Sequence, residues 1–108
     1  MPASKAAEAV SFIEQALKAA GLSDARVIPF GSHALGTATP DSDVDIAIVS
    51  ASFRGKDVFE RALLTKDAEV GAMRKFALPF DIVALSPEEY EGETMTASFI
   101  KASAGHPT

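Results

Sequence analysis

The chain has 108 residues, of which 47% are hydrophobic and 23% are charged, a composition typical of a globular domain and unlike a disordered segment. Its net charge of -5 disfavours binding to a long nucleic acid, and the absence of cysteine excludes disulfides, thiolate zinc sites and a cysteine nucleophile. No stretch is typical of a signal peptide or a membrane span, so we expect a single cytoplasmic domain over residues 1–108.

The first half of the chain predicts a helix and then two strands. Residues 4–20 are strong helix formers with apolar residues at helical spacing, and Gly21 supplies a stop. Arg26–Phe30 is a short apolar run with β-branched members, and it predicts a strand that ends at Gly31. After a polar loop, Val44–Val49 predicts a second strand that is buried on at least one face.

A longer helix is predicted after the second strand. Residues 53–75 contain apolar residues among charged ones, and the pattern predicts a helix, with Thr65 and Gly71 as the two places where it could be broken. Three apolar residues at its end and just beyond it are interpreted as core rather than as a platform for a nucleotide base. They are Met73, Phe76 and Phe80.

The last part of the chain predicts a third strand and two short helices. The strand covers residues 79–85. Ser86 is the predicted cap of the next helix, with Pro87 at the first helical position and Glu89 completing a capping box. Residues 97–104 predict a final short helix.

Three aspartates are placed on the predicted strands in a way that points to metal chemistry. Asp43 and Asp45 are two residues apart, so on a strand both carboxylates point to one side. Asp81 stands in the third strand, where an apolar residue would be routine. If the strands pair, the carboxylates converge, and Mg²⁺ or Mn²⁺ is the simplest way to neutralise them. Each aspartate also has a plainer interpretation as a solvated strand end or edge residue.

A candidate phosphate-binding turn precedes these aspartates. Gly31 lets a phosphate approach the backbone closely, Ser32 adds a hydroxyl group, and the amides of the following turn would face the anion. A triphosphate held there would expose its α-phosphorus to a hydroxyl group activated near Asp81, and the reaction would release pyrophosphate. Taken alone, a Gly-Ser pair is more often an ordinary turn.

Other polar residues are weaker candidates. We interpret His33 as a surface residue or as one that supports the site from outside, because no second histidine stands at ligand spacing. Three basic residues that follow the second strand could steer a triphosphate, although a solvated helix face is the favoured interpretation of each of them. They are Arg54, Lys56 and Arg61.

With these residues the chain resembles the polymerase-beta superfamily of nucleotidyltransferases, most closely its minimal nucleotidyltransferase group. The family motif consists of a Gly-Ser pair, a polar loop, an Asp-x-Asp pair and a third acidic residue on a later strand. The segment GSHALGTATPDSDVDI matches it at Gly31, Ser32, Gly36, Ser42, Asp43 and Asp45. The segment PFDIVALSPEEY places Asp81 at the third acidic position.

The resemblance implies a fold and a set of site residues. The fold is α/β (α+β), a small mixed β-sheet backed by helices. Asp43 and Asp45 would bind two Mg²⁺ ions, and Asp81 would share one of them and orient the acceptor. The residues implied in binding the NTP are Gly31, Ser32 and Ser42.

The resemblance also suggests an activity and a partner. The chain would transfer a nucleoside monophosphate from an NTP to a hydroxyl group of a protein or small molecule, and AMP is the favoured group. Minimal members often act as antitoxins of helical HEPN-type toxins, and a homo- or hetero-oligomer is compatible with such a role. Many members carry an arginine where this chain has Leu35. Two alternatives remain: a binding module without catalysis, and a purely structural cation site.

Overall fold

The computed structural model describes residues 5–36, 38, 42–92 and 94–102. Five α-helices and three strands follow one another in these ranges, and Ala51–Phe53 adds a short 3-10 helix. Their bounds in chain order are α1 (Lys5–Ala19), β1 (Arg26–Phe30), α2 (Gly31–Leu35), β2 (Val44–Val49), α3 (Val58–Phe76), β3 (Phe80–Leu85), α4 (Pro87–Glu91) and α5 (Met95–Ala102). None of these helices is both long enough and apolar enough to traverse a lipid bilayer.

The three strands form a mixed sheet in the order β1-β2-β3. β1 and β2 are antiparallel, while β2 and β3 are parallel and are connected through α3. A parallel pair needs a crossover connection, and the helix between the two strands provides it. The predicted α+β architecture, a small mixed sheet backed by helices, is confirmed.

Both faces of the central strand β2 are covered. Val44, Ile46 and Ile48 are fully buried in the larger core cluster, which residues of α1 and α3 complete. Ala47 points to the opposite face, where it packs with Phe30 and with Ile100 of α5. Side chains alternate between the faces of a strand, so a residue of β2 on the same face as Ala47 lies under α5 rather than under α3.

The predicted helix is confirmed as α3, and it runs unbroken through both residues at which the sequence allowed a break. At Thr65 the hydroxyl group donates to the carbonyl of Arg61 at 3.3 Å, which leaves no polar group to interrupt the helix. At Gly71 a Cβ atom would lie 3.2 Å from Cε1 of the Phe12 ring. This glycine therefore serves the close packing of α1 against α3 and does not end the helix.

The start of α3 also differs from the prediction, at Val58 instead of residue 53. Asp57 accepts a hydrogen bond from the backbone N–H of Glu60 at 2.8 Å, and the Glu60 carboxylate accepts one from the backbone N–H of Asp57 at 2.9 Å. This capping box sets the first turn. Phe53 instead lies in the 3-10 helix, fully buried in the core.

The C-terminal elements largely follow the prediction. The capping box of Ser86 and Glu89 is confirmed, with Pro87 in the first turn of α4. β3 begins at Phe80, one residue later than predicted, and the carbonyl of Pro79 accepts from the N–H of Val44 at 2.9 Å. The final helix begins at residue 95 rather than 97, and its predicted end at residue 104 lies outside the described residues, as does residue 4 at the predicted start of the first helix.

Of the three apolar residues assigned to the core, two are confirmed. Phe76 and Phe80 pack against the larger core cluster, and the Phe76 ring meets Phe12 edge to face with centroids 5.8 Å apart. Met73 is 41% exposed, so its assignment is wrong. It lies one position beyond the fully buried Ala72, and a helix turns by about 100° per residue, which carries the side chain away from the core.

Candidate active site

The sheet register brings two of the predicted aspartates side by side. Asp45 is the second residue of β2, and it pairs with Phe30 on one neighbouring strand and with Asp81 on the other. Residues paired across two strands point to the same face of a sheet, so the carboxylates of Asp45 and Asp81 are neighbours. Asp43 is exposed and directly precedes β2.

The backbone of Gly31 lies against the carboxylate of Asp45. Gly31 has φ +72°, a conformation that residues with a side chain rarely adopt. A Cβ atom at this position would overlap Oδ2 of Asp45. Because Phe30 pairs with Asp45, the chain must pass this carboxylate as it turns from β1 into α2. The glycine is thus required by contact with the aspartate as well as by its backbone angles.

Negative charge is concentrated at this point of the sheet. Burial raises the pKa of Asp45, and the carboxylates of Asp81 and Asp43 raise it further, in that order of size. The charge of His33 opposes the shift. The three aspartates are therefore close enough to repel one another, although in the described part of the chain no three acidic or histidine side chains already surround one metal position.

His33, which follows the glycine turn, contacts the residue that precedes Asp43. It lies half-buried in α2, and its ring nitrogen Nε2 is 3.2 Å from the carbonyl oxygen of Ser42, which it reaches as an N–H donor. The next residue is Asp43. This contact places His33 in a supporting position, one of the two interpretations that its sequence context allowed.

The remaining motif residues lie on and around α2. Ser32 is half-buried in the first turn, and its carbonyl accepts the backbone N–H of Gly36, which closes the helix with φ +78°. Leu35, at the position where many relatives carry an arginine, is 52% exposed at the end of α2. It extends no charge toward the aspartates.

A fourth carboxylate near the aspartates was not recognised in the sequence. Burial raises the pKa of Glu69, and the charge of Asp81 adds to the shift. Glu69 belongs to α3, which packs beside β3. Glu69 and Asp81 therefore lie on different elements and meet only in the folded chain. A glutamate among the charged residues of a helix is ordinary, so only the packing of α3 could identify this one.

Glu69 and Asp81 line one groove between α3 and β3. The groove has a volume of about 700 Å³ and is walled by the inner face of α3 and by the edge of β3. Asp43, Asp45 and Gly31 do not line it. Asp81 is therefore common to the aspartate cluster on the sheet face and to the groove beside the sheet.

Two of the three basic residues considered for a triphosphate are committed elsewhere. Arg54 forms an ion pair with Glu88, and this pairing lowers the pKa of Glu88 to about 2. Arg61 donates to the carbonyl of Ala84 at 2.9 Å and to Glu89 at 2.6 Å. Arg61 is largely buried and joins α3 to the end of β3 and to α4, so for this residue the interpretation as part of a solvated face is wrong.

Architecture and site together define a class of protein. An α+β domain with a glycine turn against one strand aspartate, and a second aspartate on the adjacent strand, suits chemistry on a phosphate. Residues 9–104 match the family model described as a nucleotidyltransferase domain. This match spans most of the chain, which therefore belongs to the nucleotidyltransferase domain family and is an enzyme that transfers nucleoside monophosphates from NTPs.

A solved structure supports the fold. The chain is similar to a candidate nucleotidyltransferase from Sulfolobus solfataricus, known from a crystal structure at 1.40 Å resolution. The two are 22% identical, with 82% of this chain and 79% of the other covered and a TM-score of 0.50. No curated protein matches the sequence.

Proposed function

We propose that the chain transfers AMP from Mg²⁺-bound ATP to a hydroxyl group of an acceptor. The observation that carries the proposal is the contact between Gly31 and Asp45, together with the pairing of Asp45 and Asp81. A phosphate that approached the backbone at Gly31 would lie beside a carboxylate. The next carboxylate would stand one strand away, about 5 Å across the sheet.

The donor set suits hard divalent cations. Carboxylate oxygens are the ligands that Mg²⁺ and Mn²⁺ prefer, and a cation would relieve the repulsion that raises the pKa of Asp45. We propose that Asp43 and Asp45 hold two Mg²⁺ ions and that Asp81 shares one. When bound, such a pair supplies charge neutralisation for the attacking and leaving oxygens.

The remaining steps are assigned to residues of this chain. Gly31, Ser32 and Ser42 hold the triphosphate with its α-phosphorus toward Asp81. The acceptor oxygen forms a bond to this phosphorus, the bond from phosphorus to the bridging oxygen of the β-phosphate breaks, and pyrophosphate leaves. Asp81 takes the proton of the acceptor hydroxyl group, because it is the aspartate that also faces the groove.

We further propose that the acceptor is a helical HEPN-type toxin and that the chain acts as its antitoxin in the cytoplasm. The resemblance to the minimal nucleotidyltransferase group supports this assignment. So does a set of strongly exposed apolar side chains on α3, which are Val58, Phe59 and Leu63. Exposed apolar clusters on a small domain are typical of surfaces that bind another protein.

The same apolar residues favour a second candidate function, in which the chain neutralises its partner by contact alone. Under this hypothesis the variant Asp43→Asn would bind and inhibit the toxin as well as the wild type does. Under the catalytic hypothesis it would bind the toxin but fail to inhibit it. Toxin activity measured after incubation with ATP and either protein separates the two functions.

The proposed donor site is tested by calorimetric titration of ATP into the wild type, with and without Mg²⁺. We expect binding that requires Mg²⁺ and that is lost in the double variant Asp43→Asn/Asp45→Asn, because these substitutions remove the metal ligands and keep the side-chain shape. Thermal melting of the double variant controls for folding. Absence of ATP binding to a folded wild type would contradict the proposal.

We expect His33→Ala to lower the rate of transfer about 5-fold, since it removes one hydrogen bond, worth about 1 kcal/mol, that positions the segment before Asp43. His33→Gln should restore most of the rate, because its amide can donate to the same carbonyl. Hydrogen exchange at Asp43 and Val44, which should accelerate in the alanine variant only, reports positioning directly. Equal exchange in all three proteins would argue against this role.

A further inference from the structure

The groove between α3 and β3 has the size and position of a second substrate site. Its volume of about 700 Å³ is within the range of roughly 300–1,000 Å³ that is usual for ligand-binding clefts. It shares Asp81 with the proposed donor site and lies outside Gly31 and Asp45. A molecule in the groove would therefore reach Asp81 from the side of α3, while a nucleotide would lie at Gly31 and Asp45.

The two ends of the groove differ in charge. Near the start of β3 the lining includes Glu69 and Asp81, whose carboxylates repel each other. Lys56 and Arg61 lie at the other end, where α3 begins, and Arg61 is held by Glu89 and by a backbone carbonyl. A hydrogen-bond donor or a basic group on the occupant would complement the acidic end.

The wall formed by β3 is the edge of the sheet. The carbonyls of Pro79 and Leu85 accept hydrogen bonds from β2, at 2.9 and 3.1 Å. Backbone groups alternate in direction along a strand, so those of Phe80, Ile82 and Ala84 are directed away from β2 and toward the groove. The Ala84 carbonyl is taken by Arg61. An extended peptide could pair with the remaining edge, as in strand addition to a sheet.

Apolar side chains continue from the groove onto the outer face of α3. Val58 lines the groove and is 77% exposed, while Phe59 and Leu63, one helical turn apart, are 80% and 73% exposed. These three residues extend the apolar lining beyond the volume that a small molecule would fill. Aromatic and aliphatic residues of this kind anchor protein interfaces.

We infer that the groove binds an extended segment of a partner protein, which pairs with the edge of β3, covers Phe59 and Leu63 with apolar side chains, and presents a hydroxyl side chain to Asp81. The inference rests on the proposed function and adds the place and chemistry of the acceptor. Charge favours a partner over a second copy of this chain: each copy carries a net charge of -5, whereas the acidic end of the groove requires basic groups.

The test uses ATP labelled at the α-phosphate, Mg²⁺ and an extract of the cells that make the protein. The wild type should label a protein, with the AMP located on a hydroxyl side chain by mass spectrometry. With that acceptor purified, we expect Phe59→Glu/Leu63→Glu to lower kcat/KM at least about 10-fold, as expected when interface anchors are lost. Ala62 is exposed and lines the groove, so the larger side chain of Ala62→Trp should fill the groove and have the same effect.

The matched control is Ser11→Glu/Gln15→Glu, which adds the same charges one turn apart on the exposed face of α1 and should label like the wild type. All variants should bind Mg²⁺-bound ATP. The inference is overturned if both groove variants label the acceptor as fast as the control does, if label enters only small molecules or this chain itself, or if a wild type that binds ATP labels no protein. Failure of the wild type to bind ATP would instead overturn the proposed function.

Discussion

Replacing Gly31 by alanine is expected to lower the stability of the protein and to abolish transfer. The positive φ of +72° alone costs a residue with a side chain about 1–2 kcal/mol. The new methyl group would also overlap the carboxylate of Asp45, so either the strand or the aspartate must move. Chemical denaturation gives the loss of stability, and transfer of labelled AMP gives the loss of activity.

Gly36 provides a matched control for this substitution. It has a similar φ of +78°, and a Cβ atom there would meet nothing within 4 Å. Gly36→Ala should therefore show the backbone strain alone, and the additional loss in Gly31→Ala measures the displacement of Asp45. Equal losses of stability and of transfer in the two variants would show that the contact with Asp45 is unimportant.

A double-mutant cycle isolates the contact further. In a protein that already carries Asp45→Ala, the added substitution Gly31→Ala should cost only about as much as Gly36→Ala does, about 1–2 kcal/mol, because the carboxylate is no longer in the way. The double variant should thus be more stable than the sum of the two single losses of stability predicts. A coupling near zero would mean that the glycine is retained for its backbone angles only.

Asp45→Asn is expected to raise stability near neutral pH while it reduces transfer about 1,000-fold or more, since the loss of a proposed metal ligand would remove several kcal/mol of transition-state stabilisation. Asparagine keeps the shape of the side chain but carries no charge. In the wild type this charge is half-buried, and the charges of Asp81 and Asp43 repel it. Opposite changes in stability and activity would indicate a residue kept for function at a cost to the fold.

The raised pKa of Asp45 determines how the stability difference between Asp45→Asn and the wild type changes with pH. Folding raises the pKa of Asp45 above its ordinary value of 3.8, so the folded chain binds this proton more tightly than the unfolded chain does. The contribution of Asp45 to the free energy of unfolding falls as the pH rises from its unfolded pKa to its folded pKa. Above the folded pKa the full loss of stability remains. The advantage of the Asp45→Asn variant should therefore be greatest near neutral pH and disappear as the pH falls toward 3.8.

Other carboxylates require that variants be compared with the wild type at each pH. Glu69 also has a raised pKa, whereas hydrogen bonds lower the pKa of Asp24 and of Glu89 and act in the opposite direction. The control is Asp67→Asn, which removes an equal charge from an exposed position on α3. If Asp45→Asn gained no more stability than Asp67→Asn near neutral pH, the repulsion would be too weak to matter.

Divalent cations should reduce the difference in stability. Mg²⁺ is expected to raise the melting temperature of the wild type more than that of Asp45→Asn, because a ligand that binds only the folded state stabilises it more when it binds more tightly. This effect does not depend on catalysis or on knowledge of the acceptor. An equal response of the two proteins to Mg²⁺ would place the metal, if any, away from Asp45.

Local sequence patterns predicted much of the fold because the forces involved act over a few residues. The bounds of β1 and β2 agree with the structure, since a short run of apolar and β-branched residues is a local signal of a strand. The capping box at Ser86 and Glu89 was recognisable for the same reason. The sequence of α3 was misinterpreted at Gly71, because the partner that fills the space beside this glycine, Phe12, belongs to another helix.

By itself the sequence determined the chemical character of the candidate site: a glycine turn and aspartates on two strands, in an order that the nucleotidyltransferase motif shares. Only the tertiary structure decided which groups meet. Strand register sets Asp45 beside Asp81, and the packing of α3 beside β3 adds Glu69 and forms the groove. The physical reason is one of range: propensity and capping act between near neighbours in the chain, whereas repulsion, overlap and burial act between residues that only folding brings together.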